Sequence, residues 1–176
     1  MSLPFFTIGH STRSIADFVD LLRVGEVRVV VDIRKVPRSR SNPQYDEAAL
    51  VEALAGYQIG YRRIAALGGL RGRSRDIPDA VNGWWENRSF HNYADYALSG
   101  EFRAGLEALL ALGRQSRTAI MCAEAVWWRC HRRIVADRLI AAGEAVFHLM
   151  DHDRAEPARL SEGASLADGM LTYPAR

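Results

Sequence analysis

The sequence predicts an α/β fold. We expect a single domain, a three-layer αβα sandwich on a mostly parallel sheet of about five strands. Three observations predict it. Short apolar, β-branched segments alternate with stretches of helical spacing along most of the chain. Val27 to Ile33 is apolar at nearly every position, as in a strand buried on both faces. An apolar segment, Thr118 to Cys122, runs straight into a reactive cluster and then a helix, which is how such folds present chemistry at a strand's carboxyl end.

Pro4 to Ile8 reads as the first strand, broken at Gly9-His10-Ser11-Thr12. Ser11 or Thr12 then caps a helix with Ile15, Phe18, Val19 and Leu22 on one side and Gly25 as its stop. Val27 to Ile33 is the second strand. The prolines and serines of Arg34 to Pro43 argue for a loop. Asp46 caps the next helix, with Leu50, Val51 and Leu54 inward and Gly56 at its end, and Ile59 to Ile64 forms a third strand. An insertion from Leu67 to about Asn92 carries glycines, arginines and Trp84-Trp85, which suits a lid or rim over a site.

Tyr93 to Leu98 makes a helical turn or two, and Glu101 to Leu112 a helix with Phe102, Leu106, Leu109 and Leu110 inward. After the fourth strand and the cluster, a helix from about Arg129 to Ala142 buries Ile134, Val135, Leu139 and Ile140, and Gly143 stops it. Ala145 to Met150 is the fifth strand. Residues 4–152 then make up the α/β domain, and 153–176 a loosely packed C-terminal tail.

Hydrophobic content of 48% and charged content of 25% are ordinary for a globular chain. No apolar run approaches the roughly 20 residues that cross a bilayer, so no membrane association is expected. The start, Met1-Ser-Leu-Pro-Phe-Phe, has no basic leader or long apolar segment, and two cysteines make no disulfide framework. A cytoplasmic location is expected. Net charge is only +2, yet Arg34 to Arg75 holds nine basic residues against Asp46, Glu47 and Glu52. That segment suits an anionic partner, nucleic acid included; a solvated arginine face explains it equally well.

Strand ends gather the chemistry. Gly9-His10-Ser11, Asp32-Ile33-Arg34, Cys122-Ala-Glu124 with Cys130-His131-Arg132, and Asp151-His152 after His148 all fall there. A thiol at a strand end, facing helix amides and arginines, has a lowered pKa and serves as nucleophile or metal ligand. Cys122 is therefore the candidate nucleophile, with Glu124, His131 and His10 as catalytic partners. Ser11, Asp32, Arg34, Cys130 and Arg132 are candidates for binding substrate. A buried structural cysteine, a capping serine and a packed imidazole are the plain alternatives. Trp84, Trp85, Trp127 and Trp128 stack on a ring or simply pack. Position 128 is Trp, so the Cys-x5-Arg phosphatase loop is absent; so are Gly-x-Gly-x-x-Gly and Walker loops. Cys-x7-Cys-His is not a zinc-finger spacing, though Cys122, Cys130, His131 and His10 leave a metal site geometrically open.

Taken in order, Thr7-Ile-Gly-His-Ser-Thr12, Val31-Asp-Ile-Arg34 with Pro37-Arg-Ser-Arg40, Leu67-Gly-Gly69, Phe90 with Tyr93-Ala-Asp-Tyr96, and Cys122-Ala-Glu124 with Cys130-His-Arg132 resemble the DUF488 family of uncharacterised bacterial and archaeal proteins. The resemblance spans about Phe5 to Met150. It implies an α/β fold and marks the nine candidates, His10, Ser11, Asp32, Arg34, Cys122, Glu124, Cys130, His131 and Arg132, as hallmark positions; it implies little chemistry. The residues suggest an enzyme with a cysteine-centred, arginine-lined anion pocket, a thiol-dependent hydrolase or transferase acting on a small phosphorylated or nucleotide-like substrate. A Cys/His metal-binding protein and a nucleic-acid-binding module using Arg34 to Arg75 stay open. No cofactor and no oligomeric state is indicated.

Overall fold

Strands buried on both faces need apolar side chains at consecutive positions, and these strands have them. The structure, a computed structural model, describes residues 2–151 and 154–176. Strands β1 (Phe5–Gly9), β2 (Val29–Asp32), β3 (Gly60–Arg63), β4 (Thr118–Cys122), β5 (Val146–Met150) and β6 (Arg154–Pro157) form one sheet in the order β3-β2-β4-β1-β5-β6. The first five pair in parallel, and β6 runs antiparallel at one edge. Helices α1 (Ile15–Val24), α2 (Glu47–Ala55), α3 (Arg88–Tyr96), α4 (Gly100–Gln115) and α5 (Arg132–Ala141) are interleaved with them. The chain is thus α/β on a mostly parallel sheet of six strands.

Alternation along each strand divides the core in two. Phe6, Ile8, Val30, Ala119 and Met121 pack with Phe18, Val19 and Leu22 of α1 and with Leu50 and Leu54 of α2. Phe5, Val31, Ile120, Cys122 and Val146 pack on the other face with Phe102 and Leu109 of α4 and with Ile134, Val135 and Leu139 of α5. The winding explains the division. From β1 the chain moves to β2 and β3, then returns to β4 and β5; right-handed crossovers put the two sets of helices on opposite faces. Where the direction reverses, a crevice opens at the carboxyl ends of the strands. Gly9 lies opposite Cys122 and Asp32 opposite Met121, so those ends are level.

Several expectations change. Ser14, not Ser11 or Thr12, caps α1 by accepting from the Asp17 amide. Ser11 takes a left-handed φ of 48°, and its amide donates to the Ala123 carbonyl, so the helix begins later than its polar residues suggested. Asp46 occupies the N-cap of α2, yet its carboxylate accepts from the Ser39 amide instead. Val51 faces solvent. The Leu67–Asn92 stretch is not one loop. Asn87 caps α3 through the amides of Ser89 and Phe90, and that helix absorbs the supposed turn at Tyr93. Trp84 and Trp85 form no lid: Trp85 is buried, stacked on Phe90 and set edge-on to Tyr173.

Most of the tail is exposed, but it is anchored at Ser161, Leu171 and Tyr173. Besides β6, strands β7 (Ser165–Ala167) and β8 (Met170–Thr172) make a hairpin that buries Leu171. Tyr173, also buried, donates its hydroxyl to Asp137 of α5 at 2.7 Å. His152, expected at a strand end, lies outside the described residues. Among the described residues, no helix is long and apolar enough to cross a membrane.

Candidate functional site

Two polar clusters sit at the level strand ends, one on each face of the sheet. On the face of α1 and α2, Asp32 holds Arg34 with both oxygens, at 2.9 Å from Nε and 2.7 Å from Nη2. Tyr61 donates to the same carboxylate at 2.6 Å. His10 stacks on Tyr45, with ring centroids 4.2 Å apart. Its Nδ1 lies 2.9 Å from the Ser11 carbonyl, which assigns the proton there; Nε2 then accepts from Arg34 Nη1 at 3.4 Å. Burial, and after it the charge of Arg34, keeps His10 below its usual pKa. These contacts make His10 and Asp32 the supports of Arg34.

On the other face, Cys122 ends β4 and Cys130 precedes α5. Their sulfurs are 2.7 Å apart, and the Cys130 thiol donates to Cys122. Burial alone pushes the Cys122 thiol up; the Cys130 hydrogen bond, then the charge of Arg132 and a Glu124 backbone hydrogen bond, outweigh it and bring Cys122 from 9.0 to about 7. Burial and the Cys122 contact push Cys130 the other way, well above its ordinary value. When protonated, Cys122 can donate instead to the Glu124 carbonyl at a long 3.6 Å.

Arg132 lies fully buried behind this pair. Its Nη2 donates to the carbonyls of Glu124 and Ala125, each at 3.1 Å, and so ties down the loop between the cysteines. Its amide points at the Cys130 sulfur from 3.4 Å. Nε and Nη1 have no hydrogen-bond partner among the described residues. A cation so enclosed calls for an anion close by.

His131 is fixed by its neighbours. Nε2 lies 2.7 Å from the Ile33 carbonyl and so carries the proton, which leaves Nδ1 as an acceptor 3.5 Å from Cys130 Sγ. Gly69 makes room for the ring: a Cβ there would come within 2.7 Å of Nδ1. Burial lowers His131 to about 4, so it is neutral at pH 7. Burial, aided by Arg132, lowers His148 to about 3; Thr7 bonds its Nδ1 and Trp127 stacks on its ring.

These two histidines carry a pH prediction. Both have folded-state values below the 6.5 of an exposed histidine, so the unfolded chain takes up protons first as pH falls. Their contribution to stability is complete above pH 6.5 and lost as the pH drops towards 4. Between about pH 6 and about pH 4.5 the loss is on the order of 3 kcal/mol, with His10 adding in the same sense. Urea midpoints across that range measure it; a flat profile would show that the imidazoles are hydrated.

A cleft of about 380 Å³ opens over the cysteine pair. Arg34, Lys35, Arg129 and Glu124 supply its charged lining, and Leu70, Phe90 and Tyr93 its apolar wall. Cys122, Cys130 and His131 form part of it, whereas His10, Ser11, Asp32 and Arg132 stand outside. Because Asp32 matches the charge of Arg34 and Glu124 offsets one of Lys35 and Arg129, the lining keeps a single excess positive charge, with Arg132 beneath. Arg133 lies over the rings of Trp84, Trp85 and Trp127. Of the Arg34–Arg75 segment, Arg71 covers the Tyr96 ring and Arg73 pairs with Asp79, so part of its charge is spent within the chain. Among the described residues no group of three or more His, Cys, Asp or Glu is arranged to hold a metal ion. Sequence reasoning gave no role to Gly69, and none to Asn87, which starts the helix carrying Phe90 and Tyr93. A signal for Asn87 was present: it precedes Phe90, Tyr93, Ala94 and Ala97, a helical spacing of apolar residues.

No curated protein and no solved structure matches the chain. The family described as "Domain of unknown function DUF488" matches residues 14–139. The matched span takes in Asp32, Arg34 and the whole Cys122–Arg132 cluster, and starts after His10 and Ser11. Since it covers well over half of the 176 residues, the chain belongs to the DUF488 family.

Proposed function

We propose that the chain is a thiol-dependent enzyme, a hydrolase or transferase, with Cys122 as nucleophile and a small phosphorylated or nucleotide-like anion as substrate. One observation carries the reading: the Cys122 sulfur accepts a hydrogen bond from Cys130, beside a buried Arg132, on the wall of a solvent-reachable cleft. The thiolate is the attacking form of cysteine, and here it also supplies the anion that Arg132 needs. Lys35 and Arg129 draw an anionic group in, while Phe90, Tyr93 and Leu70 offer a flat apolar wall to a ring. The cleft's size falls in the lower part of the range for small-ligand sites, about 300–1,000 Å³.

In the first step the Cys122 sulfur bonds to the electrophilic centre of the substrate. The bond to the leaving group breaks and its electron pair departs with that group, which takes the proton of a water held by Glu124; the oxygen of that water then attacks the adduct, and the bond to Cys122 breaks to return its thiolate. His131, held neutral with its proton on Nε2, presents Nδ1 as a hydrogen-bond acceptor only. Asp32 and His10 position Arg34. A reducing, cytoplasmic setting belongs to this reading, because it keeps both thiols free.

Protection tests the anion. Inorganic phosphate or a nucleoside monophosphate at millimolar concentration is expected to slow alkylation of Cys122 by iodoacetamide, an uncharged reagent, several-fold; the nucleoside without phosphate is expected to protect less. Equal rates with and without either anion would remove the anion pocket and leave only the thiol.

A further inference from the structure

The two cysteines differ in a way that a lone nucleophile does not require. Cys122 is the acceptor and tends to ionise; Cys130 keeps its proton and donates it, 2.7 Å away. Both residues are buried and line the same cleft. Cys130 has means to lose its proton when needed. Once Cys122 is tied up in a disulfide its thiolate no longer holds that proton, and the Arg132 amide at the start of α5 points at the Cys130 sulfur from 3.4 Å, where it stabilises a developing thiolate. From 2.7 Å, a covalent sulfur–sulfur bond of about 2.05 Å is a closing of roughly 0.7 Å shared between two side chains.

We propose that Cys122 and Cys130 form a reactive dithiol: Cys122 attacks a low-molecular-weight disulfide, and Cys130 resolves the adduct into a Cys122–Cys130 disulfide in the cleft. The inference rests on Cys122 being the nucleophile of the preceding section and adds a partner reaction to it. In the first exchange the Cys122 thiolate bonds to one sulfur of the small disulfide, whose own sulfur–sulfur bond breaks to release one thiolate. In the second, Cys130 attacks the Cys122 sulfur and gives its proton to the departing sulfur; the mixed disulfide breaks, and the second small thiol leaves with that proton. The dithiol loses two electrons and two protons, and the small disulfide gains both. Lys35 and Arg129 at the rim favour a disulfide that carries carboxylates. While the pair is oxidised Cys122 has no thiolate, so the chemistry proposed above stops until a dithiol reductant reopens it.

Glutathione disulfide is the probe. The reduced full-length chain is mixed with it without oxygen, and released glutathione and intact protein mass are followed together. The expected result is two equivalents of glutathione released, with the protein lighter by two hydrogens. Cys130→Ser, whose hydroxyl can still donate to Cys122, is expected to stop at the mixed disulfide with one equivalent released, and Cys122→Ser to react far more slowly. If the natural chain accumulates a stable mixed disulfide as the Cys130→Ser chain does, Cys130 is no resolving thiol, while the Cys122 nucleophile stands. If neither chain takes up glutathione faster than the urea-unfolded protein, the nucleophile itself is overturned and this inference goes with it. The stoichiometry of the natural chain decides the matter even if a variant fails to fold.

Discussion

Gly9→Ala is expected to cost about 3 kcal/mol and to disable the site at once. A Cβ at Gly9 would lie 1.8 Å from the Glu124 carbonyl oxygen, 2.6 Å from its carbon and 3.0 Å from Ala125 Cα. All three are backbone atoms, so no side chain can swing aside. Either β1 or the Ala123–Cys130 loop must move by more than an ångström. That loop is held by Arg132 through the same Glu124 carbonyl and by the Ser11 amide through Ala123. Displacing it separates Cys122 from Cys130 and from Arg132 together. For a chain of this size the loss corresponds to a melting temperature lower by on the order of 10 °C. Thermal unfolding and alkylation of Cys122 read the two effects separately. A variant as stable and as reactive as the natural chain would show that the loop does not rest on β1.

Arg132→Met is expected to slow alkylation of Cys122 at pH 7 by about fivefold or more, since a thiol titrating near 7 is half ionised there and a rise of one pKa unit leaves about a tenth. The guanidinium is the charge that favours the Cys122 thiolate, after the Cys130 hydrogen bond. Methionine fills a similar volume without it. Stability should move less than reactivity. The variant loses the donors to Glu124 and Ala125 but is relieved of a buried cation with two unpaired nitrogens, and such terms largely offset. Arg132→Lys, which keeps the charge, should retain part of the reactivity. A methionine variant alkylated at the natural rate would mean that Arg132 serves only to anchor the loop.

Much of this arrangement could be read from the residues. The run Thr118 to Cys122 named its strand, and Val27 to Ile33 a doubly buried one, because continuous apolar stretches of that length have few other uses. The helix carrying Phe102 and Leu109 followed from spacing. Which strand-end residues meet was not legible, since side-chain direction across a sheet depends on register. Asp32 pairs opposite Met121, and Cys122 opposite Gly9. That one fact sends the Asp32–Arg34 pair and the Cys122–Cys130 pair to different faces, with Arg34 reaching into the cleft. Tyr45 and Tyr173 were missed for a related reason. Each is buried by partners far along the chain, His10 and Asp137, and nothing beside either residue signals burial. The buried Arg132 was legible as a residue, but its role depends on the carbonyls of a loop whose path no local pattern describes.

The central claim is that Cys122 is about half thiolate at neutral pH because Cys130 and Arg132 hold it so. The rate of iodoacetamide alkylation at Cys122, followed from about pH 5.5 to about pH 9.5 in the reduced natural chain with peptide mapping to separate the two cysteines, measures this directly. The account predicts a titration with a midpoint near 7 at Cys122 and little reaction at Cys130 over that range. A midpoint at the free-thiol value of about 8.5 or above, or preferential alkylation of Cys130, would contradict it.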